Sequence, residues 1–203
     1  VPMNFPAMIP WGWMVPISIA CGNTVVLKAS SQTPLTAMRI MELFYEEAGF
    51  PKGVVNLVTC SRVEADILLT DPRVKAVTFV GTTGVGKAVY SKAAEHGKRV
   101  QAQTEAKNHA LVLEDCDLEA TVNAVVNATY GCAGMRCMAL PVVCVQESIA
   151  DEFVKLIKEK ASAMKTGCAY DEETDLGPVV SASHKEKVIS WIQKGIDEGA
   201  NKY

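Results

Sequence analysis

Cys137 stands in Gly134-Met135-Arg136-Cys137-Met138-Ala139, a thiol with a cation beside it and a glycine shortly before it. A thiolate is a strong covalent nucleophile when a cationic neighbour or a helix N-terminus lowers its pKa. Arg136 could supply that charge. Cysteine is also a common small core residue, and the six others, at 21, 60, 116, 132, 144 and 168, fit that plainer use. A second group is Gly81-Thr82-Thr83-Gly84-Val85-Gly86, which follows Phe79-Val80 and opens an amphipathic stretch. Glycines in a strand-to-helix turn let backbone N–H groups approach a phosphate, and the helix dipole favours an anion there. Such a turn can equally be a tight connection and nothing more. Gly81, Gly86 and Lys87 also fit G-x-x-x-x-G-K, the start of a P-loop, but Ala88 replaces the hydroxyl residue that would hold Mg²⁺, which argues against an ATPase. Asn4, in Met3-Asn4-Phe5-Pro6, could donate its amide to a developing oxyanion, or simply form a turn beside proline. Lys28 ends a β-branched run where a ribose or phosphate could meet it; a solvated lysine is the ordinary alternative.

The elements that must position these groups alternate. Residues 24–27, 54–58, 75–80 and 99–102 are β-branched runs that predict strands, separated by helices over about 34–47, 63–69 and 85–95. Alternation of this kind implies right-handed βαβ units and an α/β, doubly wound, Rossmann-like parallel sheet, with ligands at the carboxyl ends of the strands. Beyond Lys107 the texture changes. A strand at 110–113 precedes Asp117, a candidate N-cap for a helix reaching Tyr130. The Cys137 segment follows, then a strand at 142–145 and helices at 149–164 and 184–198. The expected division is a cofactor domain over 1–107, incomplete at its N-terminus, and part of an α/β catalytic domain over 108–203, incomplete at its C-terminus. The chain begins in Val1-Pro2 without Met and stops at Asn201-Lys202-Tyr203, so it is expected to be a piece of a longer one.

Bulk composition excludes several classes. In 203 residues, 49% are hydrophobic and 21% charged, with net charge −3; no basic run invites nucleic acid. The apolar stretch 7–20 is too short, and too broken by Pro10 and Pro16, to span a bilayer. Seven cysteines without a C-x-x-C pair make neither a disulfide framework nor a zinc site, so a reducing, cytoplasmic setting is expected (the mitochondrial matrix in a eukaryote).

Taken in order, Asn4-Phe5-Pro6, Gly22-Asn23-Thr24-Val25-Val26-Leu27-Lys28, Gln32-Thr33-Pro34-Leu35-Thr36-Ala37, Phe79-Val80-Gly81-Thr82-Thr83, Ala106-Lys107-Asn108, Gly134-Met135-Arg136-Cys137 and Asp175-Leu176-Gly177-Pro178 resemble the aldehyde dehydrogenase superfamily over essentially the whole chain. Pro2-Met3-Asn4-Phe5-Pro6-Ala7-Met8, Gly97-Lys98-Arg99-Val100-Gln101-Ala102 and Arg136-Cys137-Met138-Ala139-Leu140 are similar to its methylmalonate-semialdehyde dehydrogenase branch, which passes the acyl group to CoA. The resemblance implies that Cys137 attacks the aldehyde, that Asn4 and the Cys137 amide stabilise the oxyanion, and that Lys28, Ser31, Gly81, Thr82 and Gly86 hold NAD. Ser31 stands where an acidic residue normally binds the adenosine ribose, so NADP is possible too. Most members place a Glu four residues before the lysine matching Lys107, to activate water; here it is Gln103, an amide that cannot take a proton at pH 7. A missing general base costs about 10²–10⁴-fold, which penalises hydrolysis more than attack by the thiol of CoA. Arg136 would pair with a substrate carboxylate. A homo-oligomer is implied for the full-length protein.

Some positions depart from that pattern. Glu105 replaces a glycine beside the expected nicotinamide site and could act as a displaced base, reviving hydrolysis to a free acid. Met135 stands where the family has Gln, and the Pro10–Pro16 stretch is one residue too long. A non-catalytic homologue is the remaining alternative.

Overall fold

The computed structural model describes residues 4, 5 and 7–203; Val1, Pro2, Met3 and Pro6, which flank Asn4 in its motif, lie outside the described residues. The chain divides into two compact units, one ending at Glu105 and the other beginning at Ala106.

The first unit opens with a helical stretch whose middle is a π-turn, Pro10–Met14, running straight into α1, Val15–Ala20. The Val15 N–H reaches back five residues to the Pro10 carbonyl. A π-turn takes in one residue more than an α-turn. It also widens the backbone just before Pro16, whose ring would otherwise collide with the carbonyl four residues earlier. Gly22, at φ +79°, then reverses the chain, with its amide on the Ile19 carbonyl. Only glycine adopts that conformation without a penalty.

From there the unit is two βαβ segments. β1 (Val25–Ala29), α2 (Leu35–Glu46) and β2 (Val55–Thr59) make the first, and the strands pair in parallel from Val25↔Val55 to Ala29↔Thr59. β3 (Ala76–Val80), α4 (Thr83–Glu95) and β4 (Arg99–Gln103) make the second, paired from Ala76↔Arg99 to Val80↔Gln103. Between them the helix expected over 63–69 is a 3₁₀ turn, Glu64–Asp66, followed by the single-turn α3, Ile67–Thr70. Both ends explain its brevity. Ser61 and Glu64 form a reciprocal capping box, the Ser61 amide on Glu64 Oε2 at 2.7 Å and the Glu64 amide on Ser61 Oγ at 3.3 Å. Pro72 pushes Asp71 into extended backbone, φ −61° and ψ 125°, and stops the helix.

The core of this unit is Trp11, Val15, Leu27, Ala29, Ala37 and Val55, with Trp11 tilted against Phe44 at 5.1 Å between ring centroids. Apolar burial of this kind is the main stabilising term.

The second unit repeats the motif. β5 (His109–Val112), α5 (Leu118–Tyr130) and β6 (Val142–Val145) form a third parallel βαβ segment, paired from His109↔Val142 to Val112↔Val145. Asp117 caps α5, its carboxylate accepting the Ala120 amide at 3.0 Å. α6 (Glu147–Ala163) closes the core of Val112, Val122, Val125, Val126 and Phe153, and α7 (Ala182–Asp197) follows a loop bridged between Thr166 and Leu176. The architecture is α/β, and among the described residues every ladder is parallel, hydrogen-bonded as three two-stranded pairs. Among the described residues no helix is long and apolar enough to cross a membrane.

Candidate active site

Cys137 lies in the segment between α5 and β6, and its thiol-bearing residue is exposed. The approach to it is unusual. A short 3₁₀ turn, Gly131–Gly134, carries three successive residues in the left-handed region, Cys132 at φ 55°, Ala133 at φ 53° and Gly134 at φ 68°. For a residue with a Cβ that conformation costs roughly 1–2 kcal/mol, so packing elsewhere must enforce it. The Met135 amide donates to the Cys132 carbonyl at 3.0 Å and closes this turn. A second turn follows at once, with the Ala139 amide on the Arg136 carbonyl at 3.0 Å, and Cys137 occupies its first central position.

Asn108 holds that second turn. From just before β5, its side-chain amide donates to the carbonyls of both Cys137, at 3.0 Å, and Ala139, at 2.8 Å. Beyond the turn, the Leu140 amide donates to the Ala128 carbonyl and Thr129 Oγ1 to the Leu140 carbonyl, tying the segment to α5. In the sequence Asn108 stands within the Ala106-Lys107-Asn108 motif with no role of its own. Its signal was there only as an amide side chain able to donate two hydrogen bonds at once.

Arg136 is half-buried and turned away from the simplest expectation. Its Nε donates to Cys132 Sγ at 3.3 Å, and its guanidinium covers Gly131 so closely that a Cβ there would meet Cζ at 2.7 Å. The thiol that Arg136 touches is thus Cys132.

The other predicted residues lie in the first unit. Lys28 is half-buried in β1, and Ser31 is exposed just past its end. Asn4 is half-buried in a turn, and Gln103 is the exposed last residue of β4, its carbonyl accepting the Gly81 amide at 3.2 Å. The 81–86 turn keeps to bare backbone at two points. A Cβ on Gly81 would meet the Phe79 ring at 2.5 Å, and one on Gly86 would meet Thr104 Cγ2 at 2.4 Å. Thr82 is the exposed N-cap of α4. With Gly81 before the cap and Gly84 and Gly86 inside its first turn, the N-terminus of α4 presents bare backbone suited to a phosphate, so these residues fit a dinucleotide. Glu105 enters the same turn: its Oε2 accepts the amide of Thr83, the first residue of α4, at 2.9 Å. Beside Gln103, a cleft of about 90 Å³ is lined by Trp13, Met14, Ile17, Ser18, Thr78 and Gln101.

The described residues thus form parallel βαβ segments, with a glycine-flanked helix start in the first unit and a cysteine on a hydrogen-bonded turn in the second, the architecture of an α/β protein. The pattern of the aldehyde dehydrogenase family matches residues 1–203, and the chain belongs to that family. It is 50% identical over 200 residues to malonate-semialdehyde dehydrogenase 1 of Oceanobacillus iheyensis, covering 98% of this chain and 41% of that protein. The crystal structure of methylmalonate-semialdehyde dehydrogenase from Oceanimonas doudoroffii superposes with a TM-score of 0.92 at 42% identity, over 98% of this chain and 40% of that one. That of betaine aldehyde dehydrogenase from Staphylococcus aureus, in complex with NAD⁺, gives 0.89 at 33% identity, over 98% and 39%. The chain therefore spans about two fifths of the length of the relatives it matches.

Proposed function

We propose that the protein to which this chain belongs oxidises a small carboxylated aldehyde, of the malonate or methylmalonate semialdehyde type, and passes the acyl group to CoA. Residues 1–107 form most of its cofactor domain, and 108–203 carry the nucleophile. The cofactor is NAD, with NADP admitted by the neutral Ser31.

In this reading the Cys137 thiolate adds to the aldehyde carbon, forming the C–S bond, while the Asn4 amide and the Cys137 backbone N–H donate to the oxygen that takes up the charge. Lys28, Ser31 and the segment containing Gly81, Thr82 and Gly86 would hold NAD(P), which would supply the acceptor for the hydride leaving that carbon. Cys137 then holds a thioester, and Asn108 keeps the turn that presents it in place through the Cys137 and Ala139 carbonyls. The CoA thiolate attacks the acyl carbon and Cys137 leaves as thiolate. Arg136 is the cation for the substrate carboxylate; to meet it, the guanidinium leaves Cys132 Sγ and Gly131, on which it rests in this structure. The full-length enzyme is a cytoplasmic homo-oligomer.

The observation that supports CoA transfer over hydrolysis is Gln103. At the position of the water-activating carboxylate it takes no proton at pH 7. The test is cofactor reduction by the full-length protein with malonate semialdehyde, with and without CoA. Turnover should require CoA, and Cys137→Ser should abolish it. Free acid formed at the same rate without CoA would overturn the acylating assignment.

A further inference from the structure

We propose that Glu105 sets the affinity for the dinucleotide by standing in for its phosphate at the N-terminus of α4. The inference rests on the cofactor reading above and goes further, because it makes an internal carboxylate the competitor that the cofactor displaces.

Thr83 is the first residue of α4, so its N–H is one of the four that the helix itself leaves without a partner. A side chain at the N-cap normally serves such groups, but the Thr82 side chain makes no capping hydrogen bond. Glu105 Oε2 does so instead, at 2.9 Å and from 22 residues away in sequence. The backbone holds that carboxylate close. The Gly81 amide donates to the Gln103 carbonyl at 3.2 Å, and Thr104 lies against Gly86 so tightly that a Cβ there would come within 2.4 Å. Residues 103–105 therefore run along the turn, and Glu105 acts as a tethered anion at high effective concentration.

A carboxylate and a phosphate make the same demand on this spot, an N–H donor at the positive end of a helix dipole. Two like charges there repel, so one excludes the other. Glu105 is exposed, which lets its carboxylate swing into water when a phosphate arrives. A glycine at 105 would leave the amide open to the cofactor; a glutamate must first be displaced.

The experiment compares NAD⁺ binding by isothermal titration in full-length wild type, Glu105→Gln and Glu105→Ala, a readout that needs no turnover. Glu105→Gln keeps the reach and removes the charge, and Glu105→Ala serves where that variant folds poorly. Both should bind NAD⁺ about two- to fivefold more tightly, the scale of an exposed anion at a helix N-terminus. Both should also melt at a lower temperature than wild type without cofactor, with the gap narrowing at saturating NAD⁺, because the variants lose an interaction that the bound wild type has already given up. Unchanged or weaker binding in both variants would overturn the inference while leaving the cofactor reading intact. Absence of NAD⁺ and NADP⁺ binding in all three proteins would overturn the cofactor reading, and this inference with it.

Discussion

Asn108 illustrates what a single side chain contributes at this site. A cysteine on an exposed turn gains nothing from its own rotamer unless the turn is fixed, and the two carbonyls flanking Met138 are fixed by one amide, at 3.0 and 2.8 Å. Removing that amide leaves two acceptors short of a donor and frees the turn that carries Cys137, the proposed nucleophile, to move. Misplacement by about 1 Å can cost on the order of 10²-fold in rate. Asn108→Ala in the full-length enzyme is therefore expected to lower kcat about 10- to 100-fold with KM little changed. The rate of Cys137 alkylation by iodoacetamide should fall alongside. Wild-type kcat in that variant would remove Asn108 from the positioning of the thiol.

The α3–β3 connection shows how an element end is held by charge. Pro72 stops the helix, and Asp71 then gathers the chain: its carboxylate accepts from the Arg73 amide at 2.9 Å and pairs with the Arg73 guanidinium, at 2.6 Å from Nη2. Buried Lys98 comes from the far side of α4 to donate to the carbonyls of Asp71 and of Val74, the latter at 2.7 Å. The hydrogen bonds from Arg73, side chain first and then backbone, hold the Asp71 carboxyl well below the usual carboxylate range, with Lys98 adding a smaller push in the same direction. Because the folded pKa lies below the unfolded value near 4, the stabilisation is fully present above that pH and is lost as pH falls through the folded value. Asp71→Asn should thus lower the melting temperature at pH 7 and flatten its decline below about pH 4. An acid limb as steep in the variant as in wild type would rule out this carboxylate as a source of the pH dependence.

At the scale of the whole molecule, the chain carries two hydrophobic cores but also a long apolar face in the open. Val188, Ile189, Trp191, Ile192 and Ile196 on α7 are all exposed, Trp191 at 60%. A cluster of that kind is out of place on a free surface. With the chain spanning about two fifths of its relatives' length, the 203-residue piece on its own is expected to give no turnover with malonate semialdehyde, NAD⁺ and CoA, and to bind an apolar dye strongly. The full-length protein should do the reverse. Turnover by the isolated piece would mean that these residues alone complete the site.

Much of this was legible in the sequence because it follows from local rules. The alternation of β-branched runs with amphipathic stretches specifies parallel βαβ segments, since strands joined by a helix can pair only in that sense. Asp117 as a cap and the glycines over 81–86 follow from the backbone chemistry of single residues, and the ordered motifs carry family membership. What the sequence could not supply is which side chain satisfies which distant group. That Arg136 turns to Cys132, that Asn108 grips the turn of Cys137 and that Glu105 caps α4 depend on atoms brought within 3.3 Å from 4, 29 and 22 residues away. The π-turn at Pro10–Met14, which sets Trp11 and Val15 into one core, is likewise a feature of the folded chain. Local propensity chooses elements, but the competition of donors for acceptors is settled only once the chain has closed on itself.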